Sequence, residues 1–139
     1  GGEPVSLEAN KQLVRRFYAA IERGDFDALH DMVHPDFVFY NQVDVPRPGV
    51  QGLIDAEKKN FDAFESFIFP IETLVAEGDR VAAYMIFEGR NYRSDVFGVP
   101  ASGRNCRISL MMLLTIRDGR ISEKRAHFDV GDIRRQLAP

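Results

Sequence analysis

Apolar residues recur at helical spacing in the first half of this chain and alternate in much of the second. In "SLEANKQLVRRFYAAIERGD", residues 6–25, Leu13, Val14, Phe17 and Ile21 form one stripe, which predicts a helix. Ser6 is placed to cap its start and Gly24 to stop it. In "DFDALHDMVHP", residues 25–35, Phe26, Leu29 and Val33 repeat on one face. A second, short helix is expected there, capped by Asp25 and ended by Pro35. "DFVFYNQV", residues 36–43, is aromatic and β-branched and reads as a strand. "DVPRPGVQG", residues 44–52, reads as a loop from its Pro and Gly content. "LIDAEKKNFDAFESF", residues 53–67, predicts a third helix with Ile54, Phe61 and Phe64 facing inward.

The period then changes. "IFPIETLVAEGDR", residues 68–80, reads as a strand and a Gly turn, and "VAAYMIFEGRNYRSDVF", residues 81–97, as a long strand with a bulge near Gly89. "GVPASGR", residues 98–104, is a turn. Residues 105–129 read as two strands around the Asp118-Gly119 hairpin signal, and "VGDIRRQLAP", residues 130–139, as a short helix or coil. Helices first and antiparallel strands afterwards make an α+β layout. With 139 residues and no repeat or linker, one domain over 1–139 is expected. The strand from Arg107 to Ile116 carries more information. Ile108, Leu110, Met112, Leu114 and Ile116 share one face, and Met111 and Leu113 make the other apolar too. Such a strand is covered on both sides. The helices supply one cover; a second apolar layer, a pocket or a partner subunit supplies the other.

Composition changes this picture little. Hydrophobic residues are 45% and charged residues 28%, ordinary for a globular protein. The net charge of −3, with both signs interleaved, leaves no basic footprint for nucleic acid. The longest apolar run, "LMMLL", is far too short to span a bilayer, so no membrane partner is expected. No signal peptide is visible, and a cytoplasmic location is expected. Gly1-Gly2, without Met, reads as an added leader, and residues 1–5 are set aside as such or as disordered. Cys106 stands alone, which excludes an intrachain disulfide; it reads as a packed thiol. His30 and His34, four apart, would share a helical face as in metal motifs, but Pro35 follows at once and no third ligand is evident. They read as a solvent-exposed helix end. No nucleotide, flavin or metal cofactor is implied. Arg93 and Asp95 sit two apart at the end of the long strand, hence on one face. They are either a surface pair or the lining of a pocket mouth.

"LVRRFYAAIERGDFDALHDMVHPDFVFYN" and "GDRVAAYMIFEG" resemble the opening and middle of the nuclear-transport-factor-2-like superfamily. "VFGVPASGRNCRISLMMLLTIRDGRISEKRAHFDVGDIRRQL" resembles the closing segment of its SnoaL-like polyketide cyclases. The resemblance implies a cone-shaped, curved antiparallel sheet, a cystatin-like α+β barrel, closed by three helices from the N-terminal half around an apolar cavity. It also implies a homodimer, since such sheets often pair back to back, and a small hydrophobic ligand.

Three chemistries follow from relatives. Ketosteroid isomerases use a Tyr and an Asp whose positions fall on Phe17 and Asn41, which can neither donate nor act as a base, so the isomerase reaction is disfavoured. Limonene epoxide hydrolases use an Asp–Arg–Asp set. "RSDVF" resembles its first part and puts Arg93 and Asp95 on the Arg and acid positions, aimed into the cavity. Tyr40 then matches a water-holding Tyr, Gln42 or Asn41 its companion amide, and the water-activating base falls on Ala126. His127 or Asp129 would have to replace that base. SnoaL-like cyclases carry a late Glu–aromatic–Asp pattern resembled by "EKRAHFD", with Glu123, Arg125 in the aromatic's place, and Asp129 as the acid/base. The two comparisons oppose each other: a regular strand that turns Ala126 inward turns His127 and Asp129 outward, and Asp129 alternatively caps the terminal helix. The expected enzyme is a cofactor-independent cyclase or isomerase, with an epoxide hydrolase or a non-catalytic binding module as alternatives. Asp95 is expected as acid/base, Arg93 as its support and charge stabiliser, Tyr40 and Asn41 as orienting groups, and Asp129 with His127 as the second acid/base.

Overall fold

A computed structural model describes residues 6–41 and 45–139, so residues 1–5 and Gln42 lie outside the described residues. Helix α1 spans Leu7–Glu22. The Ser6 hydroxyl accepts from the Ala9 N–H at 3.1 Å, the cap expected of it. At the other end Gly24 takes φ +75°, and the N–H groups of Gly24 and Asp25 donate to the carbonyls of Ile21 and Ala20. That pattern satisfies carbonyls the helix leaves open, and the positive φ is why a glycine stands there. Leu13, Val14, Phe17, Tyr18, Ala20 and Ile21 are the buried face.

The second helix is shorter than its apolar pattern suggests. A 3-10 turn (Phe26–Ala28) leads into α2 (Leu29–Met32), and strand β1 (Val33–Asn41) begins before Pro35. His30 and His34 therefore share no helical face. His34 lies on β1, mostly buried rather than exposed, with Asp118 3.5 Å from Nε2. Strand β2 (Pro46–Pro48) pairs with β1, and α3 (Val50–Phe61) follows.

The third helix also stops early. Phe64 points inward as expected, but from strand β3 (Phe64–Ile68). Strand β4 is Ile71–Glu77. Both pair antiparallel with one long strand, β5 (Arg80–Tyr92): β3 along its second half and β4 along its first. Pro70 lies between them and offers no N–H, so one continuous partner strand is not available. Strands β6 (Cys106–Arg117) and β7 (Arg120–His127) form the expected hairpin, with Asp118 at φ 54° and Gly119 at φ 73°. Helix α4 (Val130–Leu137) closes the chain.

The sheet order is β2-β1-β7-β6-β5-β3, with β4 also on β5. The α+β class holds, with two corrections. The sheet is mixed, because β1 and β7 run parallel. No hairpin links those two strands, so no turn forces them antiparallel. The sheet is also curved and unclosed, and its two ends do not pair into a barrel. A third correction concerns Gly89. The β3–β5 and β5–β6 registers run through it without a shift. A Cβ there would lie 2.6 Å from the Phe64 ring, so the glycine serves close approach, not a bulge. Helix α1 packs on β4 and β5, α3 on β1 and β3, and α4 on β6, leaving one face of the sheet turned inward to a single core.

Candidate active site

That inward face lines a partly open cavity of about 70 Å³. Its wall is mostly apolar, from Phe61, Phe69, Phe87, Leu110 and Met112 among others. Four polar side chains interrupt it: Asn41, Glu57, Asn60 and Lys124. Strand alternation explains Lys124. On β7, Lys124 and Ala126 are buried and face the cavity, while Arg125 and His127 face out. Helical spacing explains Glu57. It lies four residues after Leu53 and four before Phe61, both buried, so α3 carries it on its packed stripe.

Lys124 and Glu57 meet. Nζ to Oε1 is 3.1 Å, and the side chains are 4% and 13% exposed. An ammonium has three N–H donors. Glu57 takes one, and the Tyr18 ring lies 5.9 Å from Nζ to its centroid. Among the described residues the remaining donors have no hydrogen-bond partner, and Lys124 lines the cavity. The Tyr18 hydroxyl is buried without a hydrogen-bond partner among the described residues. Burial pushes its phenol well above the usual value, and the charge of Glu57 pushes the same way. Burial likewise pushes the Cys106 thiol up; a backbone hydrogen bond from Gly89 opposes this and the charge of Asp132 adds to it. Cys106 lines the cavity, and its raised pKa opposes thiolate formation there.

Of the side chains expected to act, the structure brings Asn41 to the cavity, at an exposed part of the lining and paired across the sheet with Ala126. Ala126 faces inward, as the hydrolase comparison implies, and His127 and Asp129 accordingly do not. They border a separate groove with Ser109, Met111 and Asp132. Asp129 caps α4, accepting from the Asp132 N–H at 3.1 Å. Tyr40 is on the outer face, with the Arg125 guanidinium 3.9 Å above its ring. Phe17 is buried in the core.

Arg93 and Asp95 are exposed and outside the cavity lining, a correction to the shared-face reading. Strand β5 ends at Tyr92, just after Asn91 at φ 56°. The Arg93 N–H then donates to Ala63, its guanidinium leans on the Asp62 carbonyl at 3.4 Å, and the Asp95 carbonyl closes a turn with Gly98. The loop does contribute Phe97 to the wall. Its carbonyl accepts from the Arg134 Nε of α4 at 2.9 Å.

The sequence reading passed over Lys124 and Glu57. Each had a signal: a lysine in phase with Ala126 on a strand, and a glutamate in phase with Leu53 and Phe61 on a helix.

Known proteins bear on this geometry. No curated protein sequence matches the chain at a significant level. TsrD from Streptomyces laurentii is similar in structure, with a TM-score of 0.83 and 28% identity over 96% of this chain and 98% of that one. A candidate SnoaL-like polyketide cyclase from Jannaschia sp. CCS1 gives a TM-score of 0.84 at 21% identity, over 99% and 98%. An LEH-like epoxide hydrolase from M. tuberculosis gives 0.72 at 19%, over 94% and 90%. At these last two identities the likeness is one of fold. The sequence itself says more: the model of SnoaL-like polyketide cyclases runs from residue 11, inside α1, to residue 137, the end of α4, and the chain belongs to that family.

Proposed function

We propose that this chain is a cofactor-independent acid/base enzyme of cyclase or isomerase type, acting on a small hydrophobic molecule that bears a carbonyl oxygen. The observation that carries the reading is the buried Lys124–Glu57 pair in an apolar wall. Glu57 is placed to take a proton from a carbon next to a carbonyl. The spare N–H donors of Lys124 are placed to hold the oxygen on which negative charge then builds. Apolar walls strengthen both effects by keeping the local dielectric low. Asn41 and Asn60 orient the guest. The cavity is smaller than the roughly 300–1,000 Å³ of typical preformed ligand pockets, so a multi-ring substrate requires lining side chains to move.

The test is exchange of the α-hydrogens of aryl ketones and β-diketones in heavy water, followed by NMR. Glu57→Gln is expected to slow exchange by about 10²–10⁴-fold. Exchange equal to wild type in a folded Glu57→Gln protein would refute the assignment. No exchange with any ketone, together with tight ligand binding, would favour a binding module instead.

Ala126 and Asn41, side by side on the paired strands β7 and β1 and both lining the cavity, keep an epoxide hydrolase as the second reading. In it Glu57 activates water and Lys124 donates to the epoxide oxygen. Diol formation from cyclic epoxides distinguishes the two. We also propose a homodimer formed through the outer sheet face, where Met111 is 47% exposed and Tyr84, its cross-strand neighbour, 40%.

A further inference from the structure

We infer that Lys124 is a covalent site: its amine condenses with an aldehyde or ketone in the cavity to form an iminium, with Glu57 moving the protons. The inference rests on Lys124 and Glu57 being the reacting pair, and it names the route by which they react.

A lysine nitrogen attacks carbon only after losing its proton. Here the proton has a defined destination, Glu57 Oε1 at 3.1 Å. That transfer turns two buried charges into two neutral groups, a change that an apolar wall favours and water opposes. A guest that seals the cavity from solvent pushes the same way. The neutral nitrogen then carries its lone pair into a space walled by Phe61, Phe69, Phe87 and Met112, which suits the apolar part of a carbonyl compound. The other lysines lack this setting. Lys58 and Lys59 are exposed on α3, and Lys11 pairs with Glu8 at the surface.

The step balances as follows. Lys124 passes a proton to the Glu57 carboxylate. Its nitrogen forms a C–N bond to the carbonyl carbon, and the carbonyl π electrons move to oxygen, which takes the proton back from Glu57. Glu57 next removes a proton from the new cationic nitrogen and delivers it to the hydroxyl. Water leaves, the nitrogen lone pair closes the C=N bond, and Glu57 is again a carboxylate. One carbonyl compound and one ammonium give one iminium and one water. The iminium acidifies the neighbouring C–H, so the same carboxylate can make an enamine, the carbon nucleophile that a ring closure needs. Water added back across C=N releases the product and restores the lysine.

The full-length chain, treated with benzaldehyde and sodium cyanoborohydride near neutral pH, tests this. Hydride fixes any iminium as an amine, adding the mass of benzaldehyde less one oxygen. Peptide mapping is expected to show Lys124 labelled about tenfold or more faster than Lys58 and Lys59, despite being only 3% exposed. Benzyl alcohol, which has the ring and no carbonyl, is expected to slow labelling at Lys124 alone. In Glu57→Gln, labelling at Lys124 is expected to fall by about 10²-fold while Lys58 and Lys59 are unchanged. Glu57→Asp serves the same comparison if the Gln variant does not fold. Wild type labelled at Lys58 and Lys59 but not at Lys124 would overturn the inference. If ketone exchange still requires Glu57 in that case, the non-covalent acid/base reading stands and only the covalent step falls. Labelling at Lys124 with exchange indifferent to Glu57 would uphold the covalent site and remove the exchange chemistry.

Discussion

Lys124 and Glu57 are expensive residues to hold in a core. Breaking a buried ion pair by removing one partner costs about 3–5 kcal/mol, whereas replacing both by apolar groups is often neutral or stabilising. Lys124→Met alone is therefore expected to lower stability markedly, and the double variant Lys124→Met with Glu57→Leu to recover most or all of it. Denaturant melts of the three proteins measure this. A double variant as unstable as the single one would mean that the pair serves the fold. Tyr18 gives a second expectation at this scale. Its hydroxyl is buried without a partner among the described residues, so Tyr18→Phe is expected to be neutral or stabilising by up to about 1 kcal/mol. Its raised pKa fixes the sign with pH. The neutral phenol's contribution is complete below the unfolded value of about 10 and is lost as pH rises beyond it. Tyr18→Phe should flatten that alkaline decline in melting temperature; an unchanged slope above pH 10 would show that the phenol is not what titrates. At this scale the sequence was read only partly. Comparison with relatives offered Asn41 (or Gln42) and Ala126, but it left the inward face of the last strand open, because the cyclase comparison put Asp129 there instead. Lys124 and Glu57 could not be paired, because they are far apart in the chain and only the packing of α3 against the sheet joins them.

Elements were more legible than sites, and their errors have local causes. α1 and the β6–β7 hairpin carry complete local signals: caps, stripe, Gly at positive φ, Asp-Gly at the turn. The shortening of α3 and the early start of β1 do not. "FDAFESF" keeps apolar residues at helical spacing, yet Phe64 and Phe67 gain more as β3 against β5, where Phe64 meets Phe87 edge-on and Phe67 stacks on it. Gly89 is the other half of that arrangement. Phe64 is held by Phe87, Tyr92 and Phe97, so its ring has little room to yield. Gly89→Ala is expected to cost about 1–3 kcal/mol, partly restored by Phe64→Leu. Thermal melts of the single and double variants check it, and a silent Gly89→Ala would show that β3 can shift away. The loop after β5 and the start of α4 give the complementary case. Asp95 is exposed in a turn and Asp129 is a helix cap. Asp129→Ala should cost about 1 kcal/mol and Asp95→Asn almost nothing, with ketone exchange unaffected by either. A hundredfold loss of exchange in either stable variant would return that carboxylate to the chemistry.

At the scale of the whole molecule, the alternation on β6 separates two roles. Its inward residues Ile108, Leu110 and Met112 line the cavity, so the cavity side of the sheet is set by one strand face. Its outward residues include Met111 and Leu113, beside Tyr84 and Ala82 of β5, with Val75 of β4 next in line at 60% exposed. The three helices that pack on the sheet lie against the other side. A strand apolar on both faces was legible in the sequence; which face the chain would cover was not, since both faces offer similar side chains. The uncovered one, edged by the Arg125–Glu123 and Arg107–Glu88 ion pairs, is the face on which the proposed dimer would form. In a two-fold dimer each substitution acts twice across the same interface. Met111→Glu therefore brings two like charges into one apolar contact, and is expected to convert a micromolar dimer to monomer in sedimentation velocity. Stability would then lose its dependence on protein concentration. The cavity lies on the opposite face, so ketone exchange should persist in the monomer. A wild-type protein that sediments only as monomer at micromolar concentration would remove the dimer; a Met111→Glu protein that still dimerises would move the interface to another surface.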